Sequence, residues 1–139
     1  MTDIKRTYDL EMDLSSVTNV KTEIQFKQYD YNSCLINIVY HNNGNLISNI
    51  KDNTIIGVFK NSIGELFIDE KTNKPVQSLA RVASNENIIV LSIPDEVLKH
   101  SGSIICETVI ITPDRKRLTS SAFIFSIEPS LLDIDLDFE

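Results

Sequence analysis

Hydrophobic and polar positions alternate along most of this chain. Tyr8, Leu10, Met12 and Leu14 alternate with Asp9, Glu11 and Asp13. Val20, Thr22, Ile24 and Phe26 alternate with Lys21, Glu23, Gln25 and Lys27. A period of two places successive side chains on opposite faces, so both segments read as strands with one wet face. Residues 33–41 are richer: Cys34, Ile36, Ile38 and Tyr40 share one face, and Leu35 and Val39 the other. That pattern predicts a central strand covered on both sides. Thr54 to Lys60, Asn87 to Ile93, Ser103 to Thr112 and Leu118 to Glu128 read as further strands. Val76 to Ala83 fits a strand or a helix, and is taken as a strand.

Turn chemistry separates these segments. Asn42-Asn43-Gly44-Asn45 supplies the positive φ that a tight turn demands. Asn61-Ser62-Ile63-Gly64 and Thr112-Pro113-Asp114-Arg115 are two more turns, and residues 70–75 form a polar loop. The one helix signal is Pro94-Asp95-Glu96-Val97-Leu98-Lys99-His100-Ser101-Gly102. Proline suits a first turn, Asp95 and Glu96 suit the positive end of the helix dipole, and Gly102 suits a left-handed stop. Strands at short intervals with one short helix predict an all-β fold. The expectation is a β-sandwich of about 8–10 antiparallel strands with a short helix near residues 94–101.

The chain has 139 residues, of which 42% are hydrophobic and 24% charged. That is ordinary globular usage, and the length fits one domain. The expected division is residues 1–130 as the sandwich and 131–139 as a tail. Asp9, Glu11 and Asp13 interrupt the apolar residues near the N-terminus, so no signal peptide is expected. No apolar run approaches a membrane span, so no membrane insertion is expected. The net charge of −7 argues against general nucleic-acid binding, which needs a basic stripe. Cys34 and Cys106 either join two sheets or are two buried thiols, the second reading being favoured.

Catalytic chemistry has little support. His41 abuts a turn and His100 ends the short helix, and neither has a partner at metal-ligand spacing. No catalytic residue, metal site or cofactor is therefore assigned. Gly57 lies inside an apolar strand, where a bulge or a close approach explains it as well as a ligand does. Arg115-Lys116-Arg117 reads as a solvated hairpin turn whose charges discourage edge pairing. A carbohydrate- or host-surface-binding module is the alternative for a lone sandwich. Tyr29 and Tyr31 are its best candidates, although tryptophan is absent.

The tail alternates strictly. Leu132, Ile134, Leu136 and Phe138 line one face, and Asp133, Asp135, Asp137 and Glu139 the other. It reads as an ordinary last strand, a frayed end, or a strand that docks on another subunit by edge addition. The four apolar residues are taken as the candidate partner-binding set. Without these last nine residues the charge is 13 basic against 16 acidic, or −3, so more than half of the imbalance is local.

Three stretches carry a likeness to a known family. Phe26-Lys27-Gln28-Tyr29-Asp30-Tyr31-Asn32 leads into Leu35-Ile36-Asn37-Ile38. Asn43-Gly44 precedes the strand around residues 55–59. Val90-Leu91-Ser92-Ile93-Pro94-Asp95-Glu96-Val97-Leu98 with Gly102 is followed by residues 105–111, a charged turn, and Leu118-Thr119-Ser120-Ser121-Ala122-Phe123-Ile124-Phe125. From Glu23 to Leu131 the chain resembles the N-terminal domain of phage baseplate upper proteins. Tyr29 stands where that family usually has glycine. The resemblance implies a virion structural protein, an anchoring or adaptor domain of a tail tip or baseplate, made in the host bacterial cytoplasm. It implies a trimer or another cyclic oligomer of the chain itself, touching neighbouring baseplate or tail proteins. The family's larger members continue into a fibre and a receptor-binding head, so receptor binding is not carried over.

Overall fold

The alternating segments form strands because each buries one face and wets the other. The computed structural model describes residues 4–47, 49–83 and 87–131. In chain order the strands are β1 (Arg6–Asp13), β2 (Val20–Lys27), β3 (Cys34–Asn42), β4 (Asn45–Leu46), β5 (Thr54–Lys60) and β6 (Gln77–Leu79). They continue as β7 (Arg81–Val82), β8 (Ile89–Ser92), β9 (Gly102–Ile111), β10 (Arg117–Thr119) and β11 (Phe123–Glu128). One helical turn, α1 (Asp95–Leu98), precedes β9. Pro94 stands at its N-cap, and Gly102 takes φ 113° after it.

One sheet runs β1-β3-β8-β7, with β4 also on β3; the other runs β2-β11-β9-β5-β6, with β10 also on β9. Phe26, Phe59, Phe123, Phe125, Ile36, Ile38 and Leu91 are buried between them in one core. This is the expected all-β sandwich. The number of described strands, eleven, exceeds expectation because four of them are only two or three residues long.

The expectation of antiparallel pairing throughout is corrected at two places. β1 runs parallel to β3, from Arg6 opposite Cys34 to Asp13 opposite His41. β2 runs parallel to β11. The cause is connectivity. The loops at 14–19 and 28–33 each cross from one sheet to the other, so β1 and β3 return to one sheet pointing the same way. Alternation reports which face is buried, not which strand lies alongside.

Three other segments depart from expectation. The outer face of β3 is half-buried, not covered, while Cys34, Ile36, Ile38 and Tyr40 are buried as expected. Residues 76–83 form two strands, because the chain changes sheet at Ala80. Residues 118–128 are interrupted at 120–122, where the ladder on β9 slips. There the Ser120 side chain takes the place of a backbone acceptor: its Oγ accepts the Thr108 N–H at 3.1 Å.

The core contains one polar chain. The Tyr40 hydroxyl, on one sheet, donates to Thr108 Oγ1 on the other at 2.8 Å. The Thr108 hydroxyl donates to Ser120 Oγ at 2.9 Å, and the Ser120 hydroxyl donates to the Ser121 carbonyl at 2.9 Å. No buried side-chain nitrogen or oxygen lacks a partner among the described residues. Gly57 is explained by close approach. A Cβ there would lie 2.8 Å from Leu91 Cδ1, reaching across from the facing sheet.

Candidate functional site

The four residues taken as the partner-binding set, Leu132, Ile134, Leu136 and Phe138, lie outside the described residues. The place from which they depart is described. β11 ends beside the turn after β2, where the Gln28 N–H donates to the Glu128 carbonyl at 2.8 Å. The Gln28 side-chain amide donates to the Lys99 carbonyl at 2.7 Å, tying this end to the turn after α1. β1 and β2, which flank the loop at 14–19, are outermost in their sheets. Tyr8 closes the gap between them: its hydroxyl donates to the Gln25 carbonyl at 2.8 Å, and its ring meets Phe26 edge-on at 5.4 Å.

The tyrosines considered for a sugar platform do not lie flat. Tyr29 and Tyr31 stand edge to face, with centroids 6.4 Å apart and planes at 75°. Both are half-buried, and Tyr31 packs against the core. A sugar face stacks on a broad exposed ring surface, which this arrangement does not present. Tyr29 has φ 70°, the left-handed region that favours glycine. Its N–H donates to the Leu98 carbonyl at 2.9 Å, which helps hold that conformation. A tyrosine thus adopts the backbone geometry that glycine favours.

The two histidines line different grooves. His41 borders a shallow one with Glu11, Met12, Asp13 and Gly44. Asp13 accepts backbone N–H groups from Ser15, Asn43 and Gly44, and the Ser15 hydroxyl donates to it at 2.6 Å. The Ser15 contacts, followed by the turn N–H groups, hold its carboxyl well below the usual carboxylate range. The turn it grips has Asn43 at φ 52° and Gly44 at φ 81°, as the Asn-Gly pair predicts.

His100 borders the larger groove, about 620 Å³, with Asp69, Glu70 and Glu96 among its walls. Its ring leans on Phe67 with centroids 5.2 Å apart. No cluster of three or more His, Cys, Asp or Glu suited to a metal occurs among the described residues. Cys34 and Cys106 are free and buried. Burial pushes the Cys34 thiol up to about 11 and raises that of Cys106 well above its ordinary value, which suppresses the nucleophilic thiolate.

The Asn61–Gly64 turn that walls this groove is found as expected, but the exposed apolar surface around it was not foreseen from the sequence. Ile63 is 75% exposed, Leu66 42% and Ile68 47%. Gly64 at φ 83° and the Asn61 side chain, which accepts the N–H groups of Ile63 and Glu65, hold the turn. An isoleucine inside an Asn-Ser-Ile-Gly turn was the available signal, since turn tips are ordinarily polar. At the opposite end of β9, Arg115, Lys116 and Arg117 are exposed, as expected, and Leu118 beside them is 48% exposed. Lys116 pairs with Asp114 at 3.5 Å.

A two-sheet all-β sandwich with buried thiols is the class that this geometry defines. Among solved structures, the chain is similar to the N-terminal domain of phage TP901-1 ORF48. The TM-score is 0.65 and the identity 11%, over 88% of this chain and 99% of that one. The fold expected from the resemblance of residues 23–131 is therefore found. No protein-family model matches the chain, and no curated protein matches its sequence.

Proposed function

We propose that this chain is a structural component of a phage virion, an anchoring or adaptor domain of a tail tip or baseplate. The observation that carries the reading is the fold shared with the ORF48 domain, ORF48 being a baseplate protein. The chain works by presenting a rigid surface to copies of itself and to neighbouring virion proteins. Contacts between copies close into a trimer or another ring, since cyclic symmetry satisfies every interface. Leu132, Ile134, Leu136 and Phe138 form the apolar face of a strand that adds to an outer strand of the next copy.

Light scattering at several concentrations tests the assembly. A stable trimer or larger ring is expected, and a strict monomer overturns self-assembly. A chain cut after Ser130 keeps its circular dichroism but loses mass in solution. If it keeps the mass, or unfolds, the strand has no such role. Gold-labelled antibody against the chain marks the tail tip of the virion that carries it. Virions that take no label there refute the structural reading.

A further inference from the structure

The sandwich is polar along its strands. The groove with exposed Ile63, Leu66 and Ile68 lies at the start of β9, which contributes Ser103 and Ile104 to its wall. The basic turn lies past the end of β9, where Arg117 pairs with Ile111. Seven strand residues, from 105 to 111, separate the two, about 23 Å. A copy therefore cannot bring its own turn to its own groove.

The two ends differ in charge. Asp69, Glu70 and Glu96 line the groove against Lys71 and Lys99. The turn carries Arg115, Lys116 and Arg117 against Asp114, with Leu118 exposed beside them. A mixed groove with exposed apolar side chains and an acidic surplus thus faces one way, and a basic turn with an exposed leucine faces the other.

We propose that the Arg115–Leu118 turn of one copy seats in the groove of the next, in a head-to-tail contact between copies. Different patches meet in such a contact, so it propagates and closes into a ring when the rotation allows. The apolar residues of the groove cover Leu118, and the flanking charges set the direction of docking. The inference rests on the assembly reading and names the surfaces that carry it.

Charge reversal tests it. Arg115→Glu with Arg117→Glu weakens self-association about tenfold or more at low salt, and so does Glu70→Lys with Glu96→Lys. All four changes in one chain restore it. Circular dichroism checks that each variant stays folded. A second measurement does not depend on affinity: copies with Lys116→Cys, mixed with copies carrying Leu66→Cys, oxidise to a disulfide-linked dimer of the two. The buried native thiols do not compete. If the unchanged chain assembles while the reversed variants match it and no mixed dimer forms, this contact is wrong and the assembly reading stands. If the unchanged chain is a strict monomer, both fail.

Discussion

The centre of the sandwich and its groove end follow opposite rules. At the centre, Phe26, Phe123 and Phe125 are buried, and the polar chain from Tyr40 to Ser121 is fully bonded. At the groove end, three large apolar side chains face water, and residues 61–75 are held by isolated bridges and Asx-type turns. The centre is organised for stability, where each buried polar group is costly unless paired. The groove end leaves apolar surface open, which suits contact with another molecule. Folding energy and interface are thereby kept at different places on the same strands.

Substitutions in the core and at the groove end probe that contrast, from the largest effect to the smallest. Phe123→Ala removes a fully buried ring and lowers unfolding free energy by about 3–5 kcal/mol in urea titration. A loss comparable to that of an exposed residue would show that the centre is loosely packed. Gly57→Ala drives a methyl group into Leu91 and costs about 1–3 kcal/mol, outweighing the usual gain from replacing a strand glycine. Adding Leu91→Val then recovers part of the loss, because the two sites share one space.

Tyr40→Phe removes one side-chain bond between the sheets, the buried one to Thr108, and costs about 1 kcal/mol. Thr108→Val costs more, since it leaves the Tyr40 hydroxyl unpaired in the core, and the double variant costs less than the sum. Strict additivity in thermal or urea unfolding would dissolve the proposed chain. Ile63→Ser changes stability by no more than about 0.5 kcal/mol, the ordinary surface value. A large loss there would place the hairpin with the core and erase the contrast.

Much of this organisation was legible in particular residues. Asn43-Gly44 announced its turn because both positions need positive φ. Pro94, Asp95 and Glu96 announced the helical turn, since each suits a helix start for its own local reason. The candidate surface was less legible. Arg115 to Arg117 read correctly as an exposed turn, but the groove did not, because its walls come from residues 61–71, 96–101 and 103–104. Tyr29 shows the same limit at one residue. Its left-handed backbone is stabilised by a bond to Leu98, which is remote in sequence.

By itself, the sequence determined the strands, their buried faces and most of their turns. Those features rest on period two and on local φ preferences, which act within a few residues. Only the tertiary structure decided which strands are neighbours. Parallel pairing of β1 with β3 and of β2 with β11 follows from loops that cross between the sheets. The Tyr40–Thr108–Ser120 chain and the fit of Leu91 over Gly57 likewise join residues far apart in the chain. Such contacts depend on the shape of the whole core, and no local pattern encodes that shape.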